Sequence, residues 1–227
     1  MSDTVKIRSF VDLRTFALDS ASADDLLGGT ALALPEGPVG IAALRLSGEG
    51  QTTLGADLFV IVLAGALQIN RVALPEGRSI VLPAGVPFAW SATPDAVVVT
   101  MSCASGPAGA DQVVAIDEEA ALEASGAPLA ALLVGSTPSC RNHTDYRSAN
   151  GEFVCGTWDS TPYHRLPMRY RHYELMHLLE GDVAFVDESG HSATFGKGDV
   201  FLVEQGAECS WLSTQHVKKV YAIYRPA

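Results

Sequence analysis

The sequence has no run of basic residues, and its charge is one-sided. Its 227 residues include 15 Lys and Arg against 26 Asp and Glu, for a formal net charge of −11. Binding to nucleic acid or to an anionic membrane depends on clustered Lys and Arg that neutralise phosphates. We therefore expect no nucleic acid and no membrane among the partners of this protein.

A membrane-spanning run and a cysteine motif are also missing. The longest nearly uninterrupted apolar stretch, LFVIVLAGAL, has about half of the roughly 20 residues that a spanning helix needs. The N-terminus, MSDTVKIRSF, lacks the apolar core of a signal peptide. The four cysteines form no C-x-x-C pair and no zinc-site spacing. We expect a reduced, cytoplasmic protein.

Short apolar segments, punctuated by Gly, Pro and Asp, make up most of the chain. Examples are GIAALRL, SIVLPAG, DAVVVTMS, GDVFLVE and KKVYAIY. Many short strands with turn signals between them predict an all-β sandwich or barrel. One short helix is predicted over DEEAALEAS, with Asp117 as its N-cap and Gly126 just past its end.

The chain contains two copies of one pattern. LFVIVLAGAL (58–67) aligns with ELMHLLEGDV (174–183), and LPEGRSIVLPAGVPFAW (74–90) aligns without a gap with FGKGDVFLVEQGAECSW (195–211). Glycines and tryptophans match in register across both blocks, which chance similarity of apolar strands does not explain. The additional residues of the second copy lie in a hairpin with the turn sequence DESG.

We infer that the chain arose by duplication and consists of two domains joined by a linker. The first domain covers residues 1–105, and the second covers residues 136–227. Residues 106–135 form a linker that contains the short helix, because ASGPAGAD has the composition of a linker.

The second copy resembles the cupin family. Glu174, six residues and then Gly181 are similar to the end of the first cupin motif, and G-D-x₆-G from Gly198 to Gly206 is similar to the second. GTW, YELMHLLEG, CSW and VKKVYAIY resemble the small cupins related to the C-terminal half of ureidoglycine aminohydrolase. The resemblance covers about residues 150–225. It implies two tandem cupin domains of the double-stranded β-helix or jelly-roll type, a bicupin.

Metal-binding cupins hold a divalent cation with two His and a carboxylate from the first motif and a third His from the second. The resemblance places the carboxylate on Glu174 and the last ligand on Cys209. The other two positions fall on residues without an imidazole: Met168 and Tyr170, or Pro167 and Arg169. We therefore expect no cofactor. The alternative is Mn, Fe, Zn or Ni held by Glu174, Cys209 and His172.

Glu174 and Cys209 are the candidate catalytic residues. Strand alternation places Glu174 on the same inward face as Met176 and Leu178, where an ionised carboxylate must be paired or hydrogen-bonded. It acts either as an acid/base or metal anchor, or as a structural group tied to Arg171, Lys219 or a backbone amide. For Cys209 the favoured interpretation is a buried structural thiol.

A second set of residues is predicted to bind the ligand. Lys219 either pairs with Glu174 or Glu208, or binds the carboxylate of a substrate. The aromatic and imidazole candidates are Trp158, Tyr163, Tyr170, Trp211 and His172. The alternative for each aromatic residue is a place in the core of the barrel. For His172 the favoured interpretation is a surface pair with Glu174, two residues away.

The remaining histidines have no assigned function. Opposite parity to Glu174 predicts an outward, structural position for His177, and His143 and His164 are placed in loops. The first copy has Leu58 and Phe88 at the positions of Glu174 and Cys209, so its barrel is expected to be filled and chemically silent.

Two functions remain open at this point. The second barrel either transforms a small polar metabolite, as a ureidoglycine aminohydrolase-like enzyme, or binds one as a metal-free sensor or accessory module. The expected partners are a small-molecule ligand and a second copy of the chain in a homodimer.

Overall fold

The computed structural model describes residues 6–23 and 25–227 and is almost entirely β. In the first half the elements are β1 (Val11–Asp12), α1 (Leu13–Phe16), β2 (Ala21–Ala23), β3 (Thr30–Ala31), β4 (Val39–Thr53), β5 (Asp57–Ala64), β6 (Ala66–Ile69), β7 (Val72–Pro75), β8 (Ser79–Leu82) and β9 (Pro87–Cys103). Short 3₁₀ turns cover Ala17–Asp19 and Ala130–Leu132. The all-β class predicted from the sequence is confirmed.

The second half continues with short strands. They are β10 (Val114–Ala115), β11 (Glu123–Ser125), β12 (Leu133–Val134), β13 (Cys140–Arg147), β14 (Phe153–Ser160), β15 (Tyr163–Arg169), β16 (Tyr173–Glu180), β17 (Asp182–Val186), β18 (Ser192–Gly196), β19 (Val200–Val203), β20 (Glu208–Ser213) and β21 (Val217–Tyr224). Within the described residues no helix is long and apolar enough to cross a membrane.

The chain divides into two compact units. Unit 1 is built mainly from Leu13–Ile116 and Asp145–Cys155, and unit 2 from Ile7–Asp12, Asp117–Thr144 and Gly156–Ala227. The domain boundaries inferred from the sequence stay a prediction.

Two of the three sheets share a central strand order, since β19-β16-β21-β14 in sheet A corresponds to β8-β5-β9-β4 in sheet B. Sheet A runs β1-β19-β16-β21-β14-β13-β11, sheet B runs β10-β8-β5-β9-β4-β2, and sheet C runs β12-β15-β20-β17-β18. The central antiparallel pairs share a register, since Leu58 faces Leu82 in sheet B as Glu174 faces Val203 in sheet A. The two aligned sequence blocks therefore occupy equivalent places in the two units.

Matching glycines adopt the same backbone conformation. The φ angles are 74° at Gly65 and 75° at Gly181, and they are 77° at Gly85 and 93° at Gly206. Residues other than glycine rarely adopt this left-handed region. The repeated glycines therefore mark repeated turns.

In unit 2, sheets A and C enclose an apolar core, and we call these two sheets with their core the second barrel. The corresponding sheet B and its core in unit 1 are the first barrel. Sheet A contributes Met176, Leu178 and Phe201, and sheet C contributes Phe185 and Trp211. Met176 and Leu178 alternate with His177 along β16, so the inward face predicted for Glu174, Met176 and Leu178 is confirmed.

The segment Ile7–Asp12 belongs to unit 2. Val11 pairs with Leu202 in β19, and the Phe10 ring lies 4.8 Å from the His191 ring. Arg8 Nε donates to Glu204 Oε1 at 2.6 Å, which neutralises a fully buried carboxylate. The start of the chain thus covers part of the second barrel.

The helix predicted over residues 117–125 is wrong. Asp117 does accept the backbone N–H of Glu119 at 3.0 Å, and Ala120 N donates to Asp117 O, so one turn begins there. The chain then forms β11, whose Ala124 pairs with Arg141 of β13. A short helix with no buried face does not recover the free energy that its nucleation costs. Strand β13 instead supplies hydrogen-bond partners for the backbone of β11.

Of two glycines with a similar backbone conformation in unit 2, Gly181 and Gly190, we expect Gly181 to tolerate substitution less well. Both Gly181 and Gly190 have positive φ, at 75° and 82°. A Cβ at Gly181 would overlap the carbonyl oxygen of His216, whereas Gly190 has open space around it. We expect Gly190→Ala to cost about 1 kcal/mol and Gly181→Ala roughly 3 kcal/mol or more in the free energy of unfolding. Equal losses in denaturant titrations would contradict the overlap.

Candidate functional site

Glu174 lies inside the second barrel at the start of β16. Its backbone is fixed on both sides, opposite Val203 of β19 and Ile223 of β21. Just before the strand, Tyr170 N donates to Ala207 O and Gly206 N donates to Tyr170 O, both at 2.7 Å. These bonds hold the turn that leads into β16, and with it the direction of the Glu174 side chain.

The Glu174 carboxylate has two partners on opposite sides. Lys219 Nζ of β21 donates to Oε1 at 2.8 Å, and His172 Nε2 lies 3.1 Å from Oε2. All three residues are at most 8% exposed. Of the partners foreseen for Glu174, Lys219 is therefore the one that binds it. The surface position favoured for His172 is wrong, because the turn before β16 folds the imidazole inward onto the carboxylate.

Indole rings surround the Lys219 ammonium. Nζ lies 4.8 Å from the Trp158 ring centroid and 5.1 Å from that of Trp211, and it also contacts Met176 Sδ at 3.1 Å. An ammonium over an indole face is attracted by the ring quadrupole. The two tryptophans, which the sequence assigned to a pocket or to the core, thus hold the cation in place.

The pKa of the Glu174 carboxyl is well below its ordinary value. Burial by itself raises this pKa, but the Lys219 charge and the hydrogen bond from His172 outweigh the burial. Glu174 is therefore ionised at neutral pH, and its negative charge is matched by Lys219.

Cys209 is a core residue. It is fully buried in the second barrel, opposite Met168 of β15. Burial raises the pKa of the Cys209 thiol to about 12, although the Arg165 charge opposes the shift. A protonated thiol is a poor nucleophile and a poor metal ligand, so this geometry is that of a structural thiol.

Tyr163 and Tyr170 lie on either side of Arg165, which was not singled out from the sequence. The Tyr163 ring stacks on Trp211 at 5.6 Å, and Arg165 Nη2 donates to the Tyr170 hydroxyl at 3.4 Å. Burial is the main cause of the raised pKa of both phenols. Arg165 escaped notice because a bulge between Arg165 and Met168 breaks the strand alternation of β15.

The other histidines lie outside this cluster. His177 alternates with Met176 and Leu178 along β16, which agrees with the predicted parity, and its side chain is buried. The loop positions expected for His143 and His164 are wrong, since His143 lies in β13 and His164 in β15, opposite Leu212. Both strands carry polar outward residues, and such strands resemble loops until their pairing partners are known.

The residues of the second barrel do not fit a divalent metal. Both Glu174 oxygens are taken by Lys219 and His172, and an ammonium already lies where a cation would bind the carboxylate. A thiol ligand must be deprotonated, which the environment of Cys209 opposes. Among the described residues, no group of three or more His, Cys, Asp or Glu side chains is placed to hold a metal ion.

Comparison with known families agrees with this fold. Residues 147–221 match the family model of the EutQ-like cupin domain, so this stretch of the second half is similar to that domain. No curated protein matches the sequence.

Solved structures extend the similarity to both halves. A protein of unknown function from Pseudomonas syringae pv. tomato str. DC3000, of the DUF861 family, is 28% identical over 85% of each chain, with a TM-score of 0.80. The cupin 2 conserved barrel domain protein from Leptotrichia buccalis covers 97% of this chain and 98% of its own at 10% identity, with a TM-score of 0.60. Protein Ylba from E. coli, also of DUF861, covers 100% and 96% at 13% identity, with a TM-score of 0.59. The last two similarities concern the fold alone.

The ion pair makes stability depend on pH in a defined direction. Because the folded pKa of Glu174 lies below its ordinary value of 4.5, its contribution is complete above about pH 5 and is lost as pH falls below 4.5. We expect the difference in Tm between wild type and Glu174→Gln to be largest near pH 7 and to shrink toward pH 3. A difference that is constant over this range would mean that the carboxylate is not paired.

Cys209 is expected to resist alkylation. At pH 8 a thiol with a pKa of about 12 is almost entirely protonated. We expect native Cys209 to react with N-ethylmaleimide at least ~100-fold more slowly than in denaturant, measured by peptide mass spectrometry. Labelling of native Cys209 at the rate of free glutathione would show an activated thiolate instead.

Proposed function

We propose that the second barrel is a metal-free binding site for a small polar metabolite. The paired Lys219 and Glu174, with His172, form the polar end of the site, and Trp158 and Trp211 form its aromatic wall. Ligand sites of this kind combine a few directed polar groups with apolar surface. An ammonium has three N–H donors; Glu174 and Met176 accept two of them, which leaves one for a ligand.

A comparison inside the chain carries this proposal. The strand registers place Leu58 at the position of Glu174 and Val98 at the position of Lys219. Leu58 and Val98 are buried in the core of unit 1, so the same sheet forms there with an apolar pair. Apolar pairs are often as stable as buried ion pairs, or more so. Stability alone therefore does not explain the ion pair in unit 2.

The first barrel is proposed to be structural. Leu58, Phe88 and Trp90 fill its core, and it shares the central strand order of the second barrel. We propose on these grounds that the chain is a bicupin, related to ureidoglycine aminohydrolase-like cupins in its second half. The cytoplasmic location and the homodimer expected from the sequence stay predictions.

Ligand binding can be separated from stability by exchanging the ion pair for the apolar pair. We expect the double variant Glu174→Leu, Lys219→Val to have the same Tm as the wild type or a higher one. Metabolites that raise the Tm of the wild type by about 3 °C should have no effect on the Tm of the double variant. Glu204→Gln is the control, because Glu204 is equally buried but pairs with Arg8. It should lower Tm and keep the ligand response. A double variant that still binds the ligands would refute the proposed site.

The absence of a metal requirement can be measured directly. Elemental analysis of protein purified without a metal-affinity tag is expected to give far less than one equivalent of divalent metal, in the wild type and in Glu174→Gln alike. A near-stoichiometric metal in the wild type that is lost in Glu174→Gln would contradict the proposal and would make the metal-dependent enzyme the better hypothesis. Product formation from the stabilising metabolites, followed by mass spectrometry, separates turnover from binding.

A further inference from the structure

A second buried cation lies in the second barrel and has no carboxylate partner. Arg165 is 3% exposed and lies opposite Trp211 in sheet C. Its Nη2 makes one long hydrogen bond, 3.4 Å, to the Tyr170 hydroxyl, and its Nη1 is buried without a hydrogen-bond partner among the described residues. None of those residues forms an ion pair with Arg165.

The barrel interior therefore carries an uncompensated positive charge. Glu174 is the carboxylate bound to the interior groups, and Lys219 takes its charge. A guanidinium cannot lose its proton in a protein, so Arg165 stays charged. A buried, unpaired charge with an unused donor is unfavourable, and an anion from outside would relieve both conditions.

The repeat shows that the fold itself does not need this arginine. Gly50 faces Trp90 in sheet B as Arg165 faces Trp211 in sheet C. A Cβ at Gly50 would meet Trp90 Nε1 at 2.8 Å, so unit 1 has no room for a side chain there. Only the second barrel places a cation at this position.

We infer that Arg165 binds the carboxylate group of the ligand of the second barrel. This inference rests on the proposed function, because it places the ligand in the same interior. A planar guanidinium fork matches the two oxygens of a carboxylate. One positive charge is neutralised by one carboxylate, which favours a monocarboxylate over a dianion such as phosphate.

The opposite end of the ligand would meet the polar cluster of Glu174 and Lys219. Tyr170 links the two charged groups: Arg165 Nη2 donates to its hydroxyl at 3.4 Å, and its ring lies 5.2 Å from that of His172, which contacts Glu174. Tyr163 and Met168, which flank Arg165 on β15 and pack against the core of the second barrel, are only partly buried. The ligand class is thus a small monocarboxylate that also carries a neutral hydrogen-bonding group.

Acid and amide pairs test this inference. Glycolate and pyruvate, which carry a neutral hydrogen-bonding group, and acetate and benzoate, which do not, would each be compared with the corresponding amide by thermal shift at constant ionic strength. We expect at least one acid to raise the Tm of the wild type by about 3 °C, with a smaller effect of its amide. Arg165→Met should abolish the advantage of the acid, and Arg165→Lys should weaken its binding at least tenfold, because an ammonium lacks the planar fork.

Arg169→Met is the matched control. Arg169 lies on the same strand and is exposed, so its replacement should leave the acid response unchanged. Without ligand, Arg165→Met should melt no lower than the wild type, since it removes an unpaired buried charge. An arginine with a purely structural role would instead be needed for the stability of the free protein.

The outcomes separate the inference from the function on which it rests. No advantage of any acid over its amide, an equal advantage in Arg165→Met, or a response to inorganic phosphate in place of the carboxylates would overturn the role of Arg165. If neutral compounds still bound in a manner that depended on Glu174, the proposed function would stand. If no compound of either kind bound, both would fall.

Discussion

The interior of the second barrel depends on one buried ion pair. Glu174 and Lys219 lie 2.8 Å apart beside the aromatic and aliphatic core of the second barrel, in which His172 and Arg165 are also buried. The loss of either partner would leave the other as an uncompensated buried charge, which costs several kcal/mol of stability. The pair joins adjacent strands of sheet A, while the tryptophans that flank Lys219 come from β14 and β20. The ion pair thus fixes where His172 and both indoles can lie.

The two units place different side chains on the same backbone pattern. Central strand order, central register and positive-φ glycines agree between them, whereas the inward positions differ in kind. Leu58, Val98 and Gly50 in unit 1 stand where Glu174, Lys219 and Arg165 stand in unit 2. Because fold alone does not define function, the chemistry of this protein must be sought in the few positions where the repeat is broken.

Alternation and repetition carried the sequence predictions that are confirmed. Apolar strands with turn residues indicated an all-β fold, and period-two alternation placed Glu174 inward beside Met176. The failures have a common cause. Asp117 has the local signal of a helix start, but pairing of β11 with β13 decides that segment. His172 appeared to be a surface residue because a turn, unlike a strand, has no period from which its direction can be predicted.

The sequence by itself determined the class of fold, the repeat and the inward position of Glu174, because these depend on residue spacing along the strands. Tertiary structure decided which side chains Glu174 contacts. Lys219 is 45 residues from Glu174 in the chain, and only the pairing of β16 with β21 brings them together. The pairing of β15 with β20 decided that Arg165 lies opposite Trp211, from where its Nη2 reaches the Tyr170 hydroxyl. Contacts between strands that are distant in sequence depend on register, and register is set by the packing of the whole sheet.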